Sequence, residues 1–85
     1  MNLRHLEYLL AVAETGSFSR AADKCHVTQS ALSRSIQALE AELGATLIDR
    51  IGKRNELTPF GKEVARRARR MVLDAAEMRR SAEFL

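Results

Sequence analysis

The 85-residue chain contains one cysteine, one proline, no tryptophan, one tyrosine and three phenylalanines. A lone cysteine excludes an internal disulfide, and with it the stapled secreted folds; it fits a reducing compartment. No apolar run approaches the roughly 20 residues that a membrane-spanning helix needs. The first residues, MNLRHLEYLL, carry Arg4, His5 and Glu7 inside an amphipathic pattern. They lack the apolar core and small-residue cleavage site of a signal peptide, so a cytoplasmic location with no membrane partner is expected. Cys25 beside His26 has no second cysteine to join it, and His5 stands at no spacing that completes a metal set. There is no base-and-orienter pair for acyl transfer either, so no enzyme is expected. Cys25 reads as an apolar wall, and His26 as a turn residue that tolerates positive φ.

What the chain does have is periodicity. Apolar residues make up 46% of it, at a length that allows one domain with a small core. Leu3, Leu6, Leu10 and Ala13 mark one face of a first helix, about Leu3 to Glu14, that Gly16 stops. Ser17 is placed to cap a second helix, whose apolar residues are Phe18, Ala21, Ala22 and Cys25. A four-residue turn, Cys25 to Thr28, leads into a third helix that Thr28 caps and Gly44 ends. Phe18, Leu32, Ile36 and Leu39 are the expected centre of a three-helix core. Beyond it, Leu47 to Arg50 and Glu56 to Thr58 flank Ile51-Gly52-Lys53-Arg54-Asn55, which suggests a short hairpin with a basic loop.

The third helix is sharply two-sided. At 100° per residue, Leu32, Ile36, Leu39 and Leu43 fall within about 60° of one another. Ser30, Ser33, Arg34 and Gln37 cluster opposite them, a face of hydroxyls, one amide and one guanidinium. Such a face suits a DNA major groove, where Gln reads adenine, Arg reads guanine and Ser reads either. A hairpin beside a helix-turn-helix is a wing, and an Arg at its tip can lie in the minor groove.

Charge follows the same division. Formal net charge is +3, but residues 50–70 alone carry Arg50, Lys53, Arg54, Lys62, Arg66, Arg67, Arg69 and Arg70 against Glu56 and Glu63, a local +6. That is a phosphate-binding footprint by electrostatics, although a solvated helix can show a similar run. Thr58-Pro59 is a helix start, a capping hydroxyl followed by proline at the first helical position. No breaker follows from Lys62 to Leu85. Val64, Ala68, Met71, Ala75, Met78, Ala82 and Leu85 repeat at 4, 3, 4, 3, 4, 3, the seam of a coiled coil. At 1.5 Å per residue, about 26 residues reach about 39 Å, farther than so small a core can cover. Most of this helix is therefore expected to pair with a second copy.

The motifs LRHLEYLLAVAETGSFSRAA, HVTQSALSRSIQALEAELGATLIDR and LTPFG span residues 3–61 almost without gaps. Through them the chain resembles the N-terminal DNA-binding domain of LysR-type bacterial transcriptional regulators. The resemblance implies a mainly α fold: a winged helix-turn-helix over residues 1–58 and a long dimerising linker helix over 59–85. It also implies a larger C-terminal effector-binding domain, absent from these residues, where a small-molecule inducer is expected; no cofactor is expected here. Carried over by position, Gln29, Ser30, Ser33 and Arg34 would contact bases. Ser17, Arg20, Thr28 and Gln37 would contact the DNA backbone, and Arg50, Lys53 and Arg54 would serve the wing. Ile48 stands where the family usually has Phe, Cys25 where it usually has Leu, and Ser30 where many relatives carry Pro.

The expected function is sequence-specific binding of double-stranded promoter DNA by a homodimer. Each recognition helix would enter the major groove of one half-site of an inverted repeat, with the wing in the flanking minor groove. The alternatives are a protein-interaction winged helix with a coiled-coil dimer, making no specific DNA contact, and an unselective architectural DNA binder.

Overall fold

One short polar side chain starts each helix by accepting a backbone N–H three residues on. Asn2 accepts from His5 at 2.9 Å, Ser17 from Arg20 at 3.2 Å, Thr28 from Ala31 at 3.1 Å and Thr58 from Gly61 at 2.9 Å. Each satisfies a donor that the helix itself leaves orphaned, worth about 1 kcal/mol. The computed structural model describes all residues, 1–85. Its elements are α1 (Leu3–Thr15), α2 (Phe18–Cys25), α3 (Gln29–Leu43), β1 (Ile48–Asp49), β2 (Glu56–Leu57) and α4 (Pro59–Ala82). Helix ends are set by left-handed residues: Gly16 and Gly44 at φ 68°, His26 at φ 58°. His26 is thus the turn residue expected. Cys25 remains inside α2, so the turn is His26 to Thr28, one residue shorter than the spacing suggested.

The core gathers around α1, which packs on α2, α3 and α4. Leu6, Leu9 and Val12 meet Phe18, Ala21 and Ala22 of α2 and Leu32, Ile36 and Leu39 of α3 in one cluster. The expected α1 stripe is corrected. Leu6 is buried, but Leu3, Leu10 and Ala13 are only half-buried, while Tyr8, Leu9, Ala11 and Val12 are inside. A helix covered by three others buries a wider arc than a single stripe describes.

β1 and β2 pair antiparallel, Ile48 opposite Leu57 and Asp49 opposite Glu56. Leu47 and Ile48 are buried and seal the base of the hairpin against the helices. Thr58 fastens it to α4. Its N–H donates to the Leu47 carbonyl at 2.9 Å, and its hydroxyl donates to the Thr46 carbonyl at 2.8 Å while capping the helix.

α4 is 24 residues long, about 36 Å at 1.5 Å per residue. Its first half is not a free seam. Gly61, Ala65 and Ala68 are buried, and Val64 and Val72 pack on the same cluster. Ala68 is therefore consumed by the chain's own core, and Val64 partly so, because small residues let α4 lie close on α1. Leu85 falls beyond the last helical residue, Ala82. Of the expected seam, Ala75 is half-buried, and Met71, Met78 and Ala82 are exposed on the helix.

Gly61 marks the tightest approach, since a Cβ there would run into the backbone carbonyl of Leu47. Helix propensity alone favours alanine over glycine by about 1 kcal/mol. Collision with a fixed carbonyl opposes it and wins, because backbone cannot rotate away as a side chain can. Gly61→Ala is expected to destabilise the domain by about 1–3 kcal/mol. Urea unfolding checks this: an unchanged or raised midpoint contradicts the packing described.

Candidate nucleic-acid interface

The outward face of α3 follows from what its inward face buries. Leu32, Ile36 and Leu39 are completely inaccessible, so the residues a half-turn away have to face out. Gln29, Ser30, Arg34 and Gln37 are exposed, and Ser33 is half-buried at the edge of the same face. Arg34 has no carboxylate partner. The Ser30 hydroxyl lies 3.3 Å from that of Thr28. A two-sided helix docked by one face thus presents free donors and acceptors on the other. Ser17 and Thr28, expected at the DNA backbone, also act as helix caps through their side chains. Their hydroxyls keep an O–H to donate, and Arg20 is exposed on the first turn of α2.

The wing differs from its sequence reading. Arg50 is not a free loop cation. Its guanidinium stands 5.1 Å from the centroid of the Phe18 ring and 3.7 Å from Glu40 Oε1. The ring's negative face attracts it, worth about 0.5–1 kcal/mol at a partly exposed site. Arg54 folds back, its guanidinium lying against Gly16 at the end of α1, and the Asn55 N–H donates to the Gly16 carbonyl at 3.1 Å. Lys53 is exposed and has no ion pair.

The residue missed by sequence reasoning is Glu40. Its Oε2 accepts the Leu47 N–H at 2.8 Å and the Ile48 N–H at 3.3 Å, while Oε1 faces Arg50. One largely buried carboxylate on α3 therefore ties down the near leg of the hairpin. A glutamate seven and eight residues before two orphan amides gives no periodic signal, because the loop between them has to fold first.

Elsewhere, carboxylates divide the cations. Glu14 pairs with Lys24, and this hydrogen bond holds the Glu14 carboxyl below its usual range. Glu63 receives Arg66 at 2.8 Å and Arg67 at 2.9 Å, and these donors pull its carboxyl down to about 2. Cys25 lines an open cleft with Tyr8, Val27 and Val72, and burial, aided by nearby Glu7, pushes its thiol up. That keeps it a protonated wall residue rather than a reactive thiolate.

Glu40→Ala strands two buried N–H groups and a guanidinium, so it is expected to cost about 2–3 kcal/mol. Glu40→Gln, which still accepts a bond, should cost less. Hydrogen exchange at Leu47 and Ile48 checks this: amides as protected in Glu40→Ala as in the parent contradict the assignment. Glu63 tests the electrostatics. Its folded carboxyl is depressed, so its pairs are complete above about pH 4.5 and are lost as pH falls through about 2. An NMR titration should place its midpoint near 2, and the double variant Arg66→Ala/Arg67→Ala should return it toward 4.5.

Known proteins share this arrangement. The family model described as bacterial regulatory helix-turn-helix protein, lysR family, matches residues 3–62. An HTH-type transcriptional regulator encoded in the ibpB-leuC intergenic region of Azotobacter vinelandii is 43% identical over 85 residues, 100% of this chain and 59% of that protein. The regulator TfdT of Cupriavidus pinatubonensis is 44% identical over 72 residues, 85% of this chain and 32% of that one. The chain thus spans between a third and three-fifths of these relatives' length. The BenM DNA-binding domain in its complex with catB site 1 DNA superposes with a TM-score of 0.94 at 40% identity, covering 98% of this chain and 92% of that one. With its motifs, fold and relatives in agreement, the chain belongs to the lysR family of bacterial regulatory helix-turn-helix proteins.

Proposed function

We propose that these residues bind double-stranded promoter DNA sequence-specifically, as one half of a homodimeric LysR-type transcriptional regulator. The observation that carries the reading is the outer face of α3, where Gln29, Ser30, Arg34 and Gln37 are exposed on a helix whose opposite face is sealed into the core. Arg34 is the guanine reader, held on a rigid helix and free of carboxylates. Gln29, Ser30 and Ser33 complete the base-facing set. Ser17, Arg20, Thr28 and Gln37 hold the flanking phosphates. Lys53 and Arg54 are the wing cations without an ion pair, Lys53 reaching the phosphates and Arg54 and Arg50 adding positive potential behind it.

The second copy is supported by what α4 leaves uncovered. An apolar groove of about 300 Å³, lined by Met1, Leu6, Leu43, Phe60, Val64 and Met71, opens beside the helix. Met71 and, farther along the helix, Met78 are exposed apolar side chains that a lone chain leaves in water. Pairing through α4 then sets half-site spacing, since the two-fold symmetry of the protein is mirrored in the DNA. On this reading residues 1–58 read DNA and 59–85 dimerise. A small-molecule inducer acts through a C-terminal effector domain, not through these residues. The protein works in the cytoplasm on the nucleoid.

Binding to a selected duplex and to its scrambled counterpart, compared across salt concentrations, tests the proposal; equal affinity for the two sinks it. Arg34→Ala should lose about 1–3 kcal/mol of discrimination at one base pair per half-site. Lys53→Ala should weaken all sequences alike and lower the slope of log K against log salt by about one unit per protomer.

A further inference from the structure

The wing tip carries a side chain that the charge-based picture leaves out. Ile51 is 95% exposed, the one large apolar residue in the otherwise polar and basic loop 50–55. Single exposed hydrophobics are ordinary on protein surfaces. This one is held in place from both sides. Its N–H donates to Asp49 Oδ1 at 2.9 Å, which fixes the turn directly beneath it. On one leg Arg50 is anchored to Phe18 and Glu40; on the other, the Asn55 N–H is bonded to the Gly16 carbonyl, with the Arg54 guanidinium beside that glycine. With Arg50 held against the body of the protein and the Arg54 guanidinium lying back beside Gly16, the loop offers Ile51, the side-chain-free Gly52 and the exposed Lys53. A β-branched side chain with few rotamers, projecting from a braced turn beside one cation, is a stiff apolar probe.

We propose that Ile51 is an apolar minor-groove contact, and that it makes the wing discriminate A·T from G·C pairs beside each half-site. The proposal rests on the DNA-binding reading above. Lys53 brings the tip to the phosphates that wall the groove, and Ile51 enters between them. In the minor groove, A·T and T·A pairs present acceptors only, whereas guanine adds its 2-amino group on the floor. An isoleucine accepts no hydrogen bond, so it would leave that donor desolvated and unsatisfied while also meeting it sterically. Over A·T pairs the floor is open and the side chain packs against sugar and base edges, as apolar residues do in other minor-groove binders. The wing then reads sequence, not only phosphate.

Inosine isolates this effect, because an I·C pair lacks the 2-amino group. A duplex is selected from a randomised pool with the 85-residue protein. Each pair flanking its half-sites is then replaced in turn by G·C and by I·C. The parent should bind the I·C duplex at least about fivefold more tightly than the G·C duplex at the wing position. That ratio should fall to about one in Ile51→Ser and persist in Ile51→Val. Lys53→Ala should weaken binding to both duplexes while preserving the ratio. Equal binding of I·C and G·C at every flanking position by the parent overturns the proposal, as does a ratio that survives Ile51→Ser. Failure of the selected duplex to outbind a scrambled one strikes instead at the DNA-binding reading, so the two failures are told apart.

Discussion

The Glu40 carboxylate is where the reading helix and the wing become one rigid body. The hairpin is only two residues long on each side, far below what a two-stranded ribbon needs to hold itself in water. Its position is borrowed. Glu40 reaches from the last turn of α3 to the amides of Leu47 and Ile48, and the same group sits beside Arg50, which lies over Phe18 of α2. Thr58 closes the other leg against Thr46 and Leu47. Two short strands are thereby fixed relative to α3 by one carboxylate, one hydroxyl and a buried Leu-Ile pair. On the proposed reading, in which helix and hairpin meet two grooves at once, this matters, since slack between them would cost entropy at every encounter.

The charge distribution gains a second meaning in three dimensions. The +6 of residues 50–70 is a formal sum, and the structure spends part of it internally. Glu40 partners Arg50, and Glu63 partners both Arg66 and Arg67. These are mostly surface pairs and contribute little to stability. They decide which cations are free. Lys53, Arg54, Lys62, Arg69 and Arg70 are exposed without a carboxylate partner, so the free positive charge is smaller than the run implies. α4 serves two masters in the same way. Its glycine and alanines press on α1, and its methionines stay outside.

Local chemistry made much of this legible beforehand. Helix caps were readable because Ser17, Thr28 and Thr58 each answer donors only three residues away. The left-handed glycines and His26 were readable because so few residues adopt that conformation. The outer face of α3 was readable because burial of Leu32, Ile36 and Leu39 leaves only one way for the helix to face. The coiled-coil seam is less legible. A seven-residue repeat states that one stripe is apolar and does not say what covers it, so it counts Ala68 toward a partner although the chain's own core already covers it.

By itself, then, the sequence determined the elements, most of their ends, the outward face of α3 and the family, because each depends on neighbours within a turn or two of helix. The tertiary structure alone decided which cations are paired, which half of α4 is already buried, how far α1 is enclosed, and that Ile51 projects from the wing loop into water. Those outcomes depend on groups brought together only after folding: Arg50 on Phe18, Arg54 on Gly16, Gly61 on the carbonyl of Leu47. Chain spacing carries no periodic trace of such meetings.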